Sequence, residues 1–387
     1  MIPYGRQFID EDDIRAVVEV LHSNWLTTGP KVAKFEQIFA KQVGSTEAVA
    51  VSNGTAALHA AMHALAIGPG DEVIVPAMTF AATANCVVFQ GATPVFVDVD
   101  PEKLLIDPDR IKEKITSRTK AVIAVDYAGH PADYDRLKPI AEDNGIALVA
   151  DACHALGAAY KSRPVGSLAD LNTFSFHPVK HIATGEGGMI TTDDPELASG
   201  MRRFRNHGLT MDHLQREKQD SWFYEMVDLG YNYRITDFQC ALGISQLKKL
   251  SHFLKHRRKI AKKYDQAFSG MPAIKPLVVD PDILHAYHLY VIRVDFEGLG
   301  GDREASFKTL RQKGIAVNVH YIPVHLHPYY RKTFETGPGL CPVAEAAYKQ
   351  ILSLPMFAAI TDEETQKVIS VVSETVAGYR KQGDKFR

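Results

Sequence analysis

From Glu47 to about Gly188 the chain repeats one pattern, a short β-branched or apolar run followed by a helix-like segment. The runs are Glu47 to Ser52, Glu72 to Pro76, Thr93 to Val99, Lys120 to Tyr127, Ile146 to Asp151, Asn172 to Phe176 and Gly188 to Thr192. This alternation predicts an α/β fold on a mostly parallel central sheet with helices on both faces. After Asn232-Tyr233-Arg234-Ile235-Thr236-Asp237 a helix-favouring stretch runs to about Ser269, and its basic cluster Lys255-His256-Arg257-Arg258-Lys259 reads as a solvated helix face. The rest alternates again, with strands expected over Leu289 to Phe296 and Ile315 to His320 and helices near Arg303 to Lys313 and Thr361 to Tyr379. The expected partition is a large domain over residues 1–245 and a small α+β domain over 246–387.

Lys180 lies in the polar, glycine-rich stretch Phe174-Ser175-Phe176-His177-Pro178-Val179-Lys180-His181-Ile182-Ala183-Thr184-Gly185-Glu186-Gly187-Gly188. Upstream, Asp151 closes the β-like run Gly145 to Ala150, so its carboxylate is expected at a strand end beside a cleft. A lysine forms an imine only while its amine is free, and an unperturbed lysine, with pKa about 10.4, is almost wholly protonated at neutral pH. Lys180 would therefore need a special environment. An acid held against a pyridine nitrogen keeps that nitrogen protonated and makes the ring an electron sink, the arrangement that pyridoxal phosphate chemistry requires. Taken alone, the same two residues also fit a solvated loop lysine and a strand-capping acid.

Accompanying residues favour the cofactor. Val51-Ser52-Asn53-Gly54-Thr55-Ala56-Ala57-Leu58 reads as a strand, a Gly-Thr turn and an alanine-rich helix whose free amides would attract a phosphate, although an ordinary N-cap has the same look. Ser175 could add a hydroxyl to that phosphate. Phe80, after another strand end, is either a ring-stacking aromatic or a core phenylalanine.

Composition narrows the alternatives. Among 387 residues, 44 basic and 46 acidic side chains give a formal charge of −2, which offers no electrostatic case for nucleic acid or an anionic membrane. A small-molecule site fits better. Cys86, Cys153, Cys240 and Cys341 are scattered, so reduced thiols in a cytoplasm are expected, with neither disulfide nor zinc. The start Met1-Ile2-Pro3-Tyr4-Gly5-Arg6 has no apolar signal-like run, and a soluble, cytoplasmic protein is expected.

Together with Trp25-Leu26-Thr27-Thr28-Gly29-Pro30, Asp151-Ala152-Cys153-His154-Ala155-Leu156-Gly157, Gly230-Tyr231-Asn232-Tyr233-Arg234 and Val319-His320-Tyr321-Ile322-Pro323, these segments resemble the DegT/DnrJ/EryC1/StrS family of sugar aminotransferases over nearly the whole chain. The resemblance implies pyridoxal phosphate enzymes of fold type I. It makes Lys180 the Schiff-base lysine, Asp151 the partner of the pyridine nitrogen, and Gly54, Thr55 and Ser175 the phosphate cradle. Phe80 becomes the stacked aromatic, and His154 a side chain beside the ring, where the family often has glutamine. Asn232 corresponds to a residue reaching the phosphate from the other subunit, which implies a homodimer with shared sites. His320 and Tyr321 correspond to residues facing the sugar nucleotide, whereas His325 and His327 read as loop residues. Within the family, Asp126-Tyr127-Ala128-Gly129, His154-Ala155-Leu156-Gly157 and Phe174-Ser175-Phe176-His177 resemble transaminases of pseudaminic acid biosynthesis, which aminate C4 of a UDP-linked 4-keto-6-deoxy-N-acetyl-hexosamine. The implied amino donor is glutamate. His181, where close relatives often carry proline or asparagine, has no explanation at this level.

Two other classes compete with this reading. A nucleotide-sugar dehydrogenase or epimerase predicts a Gly-x-Gly-x-x-Gly turn after an early strand, which this chain lacks. A non-catalytic regulator that kept the fold would look the same in sequence.

Overall fold

The computed structural model describes residues 1–383, with side chains described through Tyr379. In chain order the strands are β1 Glu47–Val51, β2 Glu72–Pro76, β3 Thr93–Val97, β4 Thr119–Val125, β5 Ala147–Asp151, β6 Ala159–Tyr160, β7 Arg163–Pro164, β8 Leu171–Ser175 and β9 Gly188–Thr192. Seven of them form one sheet in the order β1-β9-β8-β5-β4-β2-β3. Only β9 runs against the others, since β2, β3, β4, β5 and β8 pair in parallel while β9 is antiparallel to both β1 and β8. The predicted parallel α/β sheet is what forms.

Both faces of the sheet are buried, so strand residues alternate between two cores rather than between core and water. Val49, Val51, Val73 and Val75 face the helices Gly54–Ala64 and Ala81–Phe89 through Leu58, Met62, Cys86 and Val87. Ala48, Ala50 and Ile74 face the other side, where Phe35 and Phe39 of Pro30–Val43 and Leu137 and Ile140 of Tyr134–Asn144 pack.

The expected long helix spans Asp237–Phe268 and is capped by Thr236 and Gln239 in a reciprocal capping box. Positions 245 and 246 lie inside it. Its side chains up to Leu254 belong to the large-domain core, and from Ile260 onward they join a third core with β12 Tyr290–Val294, β13 Ile351–Leu354 and the helix Asp362–Gly383. Between them come the short strands β10 Ile274–Pro276 and β11 Ile283–Leu284, and the small sheet has the order β10-β12-β13. Ile2 also sits in this third core, bridged to Ile315, so the start of the chain packs with its C-terminal part.

Two expectations need correction. Ile315 to His320 forms no continuous ladder, because its pairing is divided between Ile2 and Ser353. The basic cluster is not a solvated face throughout. Arg257 is 1% exposed and donates to the carbonyls of Tyr287, His288 and Met356, while Arg258 donates to those of His285 and Gly157. A guanidinium has five donors and can satisfy several carbonyls at once, which is how a basic residue becomes a buried strut.

Candidate active site

The strand ends build the site. Register places Val51, Gly188 and Ser175 abreast, with Asp151 opposite Val125 and Thr173, so β1, β8, β5 and β4 all deliver their carboxyl ends to one edge. The helix Gly54–Ala64 starts there. Asn53 caps it by accepting from the Ala56 amide at 2.8 Å, which leaves the Gly54 and Thr55 amides at its mouth. A Cβ on Gly54 would stand 2.9 Å from Ser175 Cβ and 3.3 Å from Cys153 Sγ. Glycine is thus needed for the helix start to approach Ser175, and amides, hydroxyl and helix dipole converge on a volume suited to a phosphate.

Asp151 is nearly buried, and both its oxygens are oriented. Oδ2 accepts from Thr83 Oγ1 at 2.7 Å, which is in turn 2.7 Å from Thr79 Oγ1, and Oδ1 accepts from the Cys153 amide at 3.3 Å. Thr79 and Thr83 lie four residues apart around the start of Ala81–Phe89, and that spacing is the only trace of their role in the sequence. Phe80, at the N-cap of the same helix, is 58% exposed with its ring 5.8 Å from that of Tyr321. It is not a core phenylalanine and offers a free aromatic face.

Lys180 is half-buried in a loop closed by Phe176 N–H donating to Gly187 O at 2.8 Å and Thr184 N–H donating to Phe176 O at 2.9 Å. Its Nζ lies 3.5 Å from Nε2 of His288, a residue that no sequence motif marks. Burial lowers the Lys180 pKa, with Cys153 and Asp151 pulling the other way. His181, buried, donates Nε2–H to Ala286 O at 3.1 Å, since a carbonyl can only accept. That bond ties the lysine loop to the segment carrying His288 and accounts for the residue beside the lysine.

His154 and Tyr321 meet, with Nε2 and hydroxyl 3.0 Å apart. His320 parts from its neighbour: its Nδ1 is 2.8 Å from Ser353 Oγ and its Nε2 3.2 Å from Asn318 Nδ2, and its carbonyl accepts from the Tyr127 hydroxyl. The ring is therefore engaged in the wall rather than presented to a substrate. His325 is no surface loop residue, being fully buried with Nε2 2.9 Å from Glu345. Asn232 is exposed, bridged through its backbone to Asn206, and does not cap the long helix, since Thr236 does. Its neighbour Tyr233 accepts from the Ser52 amide at 2.8 Å, which holds this loop to the end of β1. Among the described residues no group of three His, Cys, Asp or Glu side chains is arranged to hold a metal, and no helix is long and apolar enough to cross a membrane.

An anion cradle, an oriented carboxylate, an open aromatic face and a desolvated lysine on one edge could together hold pyridoxal phosphate. Known proteins agree. The spore coat polysaccharide biosynthesis protein SpsC of Bacillus subtilis is 43% identical over 379 residues, 97% of each chain. The putative sugar aminotransferase Spr1654 from Streptococcus pneumoniae, in its PMP-form, is 34% identical over 98% of this chain and 100% of that one, with a TM-score of 0.92. Helicobacter pylori PseC, an aminotransferase involved in pseudoaminic acid biosynthesis, is 31% identical over 97% and 99%, with a TM-score of 0.90. With residues 7–373 matching that family, the chain belongs to the DegT/DnrJ/EryC1/StrS aminotransferases and is a pyridoxal-phosphate-dependent sugar aminotransferase of fold type I.

Proposed function

We propose that this enzyme moves the amino group of glutamate to C4 of a UDP-linked 4-keto-6-deoxy-N-acetyl-hexosamine, the amination step of pseudaminic acid formation. The convergence of Lys180 and Asp151 with the Gly54, Thr55 and Ser175 cradle carries the transaminase part of this reading, and the likeness to H. pylori PseC supports the sugar. The higher identity to SpsC favours a second reading, in which another nucleotide-linked keto-sugar, such as a dTDP-linked one, is the acceptor.

When bound, pyridoxal phosphate supplies an aldehyde that takes up an amine and a ring that accepts electrons from the adjacent carbon. The residues do the rest. Gly54 and Thr55 amides and the Ser175 hydroxyl would hold the phosphate, Phe80 would offer its face to the ring, and Asp151, steadied by Thr83, would keep the ring nitrogen protonated. Lys180 would be the residue that holds the cofactor aldehyde, and its free amine would hold and move the proton at the reacting substrate carbon. His154 and Tyr321 form the wall beside the ring.

The site is shared in this reading: Asn232 reaches the phosphate of a partner subunit. Trp222, Phe223, Tyr224, Met226, Val227, Leu229 and Tyr231 all stand exposed just before it, an apolar stretch suited to burial against a second copy. The four thiols are all free, which accords with a cytoplasmic setting.

Incubation with glutamate and a panel of UDP- and dTDP-linked 4-keto-sugars, followed by mass spectrometry and NMR, tests the acceptor. A C4 amine on the UDP-linked 6-deoxy-N-acetyl-hexosamine is expected. Conversion of dTDP-sugars alone would select the second reading. For the shared site, mixing Lys180→Ala with a disabling Asn232 variant under subunit exchange should restore about a quarter of wild-type activity; no recovery after confirmed exchange would refute it.

A further inference from the structure

The segment His285-Ala286-Tyr287-His288 belongs to none of the motifs that build the cradle, yet it reaches the reacting lysine. Ala286 N–H donates to Gly129 O at 3.0 Å and Leu289 N–H to Ala128 O at 3.2 Å, which straps the segment across the turn Tyr127–Gly129 that follows β4. Gly129 makes this possible. Its φ of +103° is one that side-chain-bearing residues rarely adopt, and a Cβ would meet Tyr287 N at 2.8 Å, His154 O at 2.9 Å and His288 N at 3.1 Å. From the other side Arg257 holds the carbonyls of Tyr287 and His288, and His181 holds that of Ala286. The imidazole of His288 is thus fixed, 4.3 Å from the His154 ring and 3.5 Å from Lys180 Nζ.

We infer that His288 is a further catalytic residue, donating its Nε2–H to the neutral amine of Lys180 and holding that amine as free base whenever the lysine is not joined to the cofactor. Geometry selects this direction. Among the described residues His288 Nδ1, which is buried, has no hydrogen-bond partner. If Nε2 accepted from an ammonium, the ring's one proton would sit on Nδ1, a buried donor without a partner. If Nε2 donates, only a bare acceptor is left there, the smaller penalty. A donor to the neutral amine stabilises the uncharged form.

The groups facing this pair are few. Asp151 and Cys153 favour the ammonium. His154, His181, His320 and Arg257 surround the pair from the other elements, and burial holds all three of these histidines and His288 below the ordinary histidine range, so the imidazoles add no competing cation. Every turnover returns Lys180 to the free amine. A lysine held as the ammonium could neither accept a proton nor attack a carbonyl, and His288 opposes that state.

This inference rests on Lys180 being the lysine that carries the cofactor, but its test does not require turnover. In the cofactor-free protein, competitive labelling with acetic anhydride across pH, read at the Lys180 peptide, gives the midpoint of the amine's titration. His288→Phe should raise that midpoint by about one pH unit, and His288→Gln, which keeps a donor, should restore part of the shift. An unchanged midpoint in a folded His288→Phe overturns the proposal. Should that variant not fold, the 15N spectrum of wild-type imidazoles decides: the signal absent from His288→Gln must report an Nε2–H ring, and an Nδ1–H ring refutes the role. Borohydride reduction of the loaded enzyme, mapped to a lysine other than Lys180, would instead count against the proposed site and leave the titration result standing.

Discussion

Two walls meet at Lys180, and they are built differently. The cradle wall, with Gly54, Thr55, Ser175, Asp151 and Thr83, hangs on strand ends and helix starts of the large domain, each set by a local turn. The strap wall, with His288, Tyr321 and His320, is delivered by segments 108 to 243 residues away from the groups they touch: His288 on Lys180, Tyr321 N–H on Met78 Sδ, Tyr321 hydroxyl on His154. The cradle presents a carboxylate, a hydroxyl and helix-start amides, whereas the strap presents buried imidazoles and hydroxyls. Damage to the cradle should therefore touch chemistry first, and damage to the strap should touch stability as well.

The largest contrast comes from Lys180→Ala, expected to lower turnover at least about 10⁴-fold, because both the covalent partner and the proton carrier are lost. Its thermal midpoint should stay close to wild type, and a large fall would mean the lysine is structural. Next in size is Arg257→Ala, expected to cost about 3 kcal/mol in urea unfolding by leaving buried carbonyls of Tyr287, His288 and Met356 without a donor. Turnover should fall with it. Normal stability in this variant would dissolve the distinction between the walls. Asp151→Asn should slow turnover on the order of 10²-fold, near 2.7 kcal/mol, while cofactor affinity changes far less. Stopped-flow half-reactions with glutamate measure this, and near-normal rates would remove the carboxylate from its role.

The smallest effect concerns acid. Burial lowers His320 to about 4, so the native state binds fewer protons than the unfolded one between that value and about 6.5. Its contribution is complete above the unfolded value and is lost as pH falls through this window. Asp126, raised to about 7 by burial, acts in the opposite sense, favouring the native state at lower pH. Comparing urea unfolding at pH 7 and 5.5, His320→Gln should reduce the loss of stability by about 1 kcal/mol. An unaltered pH dependence would show that the acid sensitivity lies elsewhere, for example at His59, also lowered to about 4.

Most of the cradle is legible in the order of residues along the chain. The apolar runs ending at Ser52, Asp151 and Phe176 match β1, β5 and β8 to within a residue at that end, and the carboxyl ends of parallel strands necessarily share an edge. Thr83 is not legible, because a threonine on an alanine-rich helix looks like any other until Asp151 stands beside it. Arg257 defies its sequence context: a place on a polar helix argues for solvent, and only the crossing of Tyr287, His288 and Met356 over that turn buries it. The exposure of Asn232 agrees with either a partner contact or plain solvent, and the cap of the long helix belongs to Thr236 instead.

The chain's own pattern determined the parallel sheet, the long helix and the residues that could bind a phosphate and a pyridine, because period-2 strands, glycine turns and helix starts are local events within about ten residues of chain. Tertiary structure alone decided which histidine reaches Lys180, that His320 turns into the wall while Tyr321 faces His154, and that Arg257 is a strut. Those outcomes depend on how segments far apart in sequence pack around Gly129 and the middle of the long helix, and no local periodicity encodes a contact across that distance.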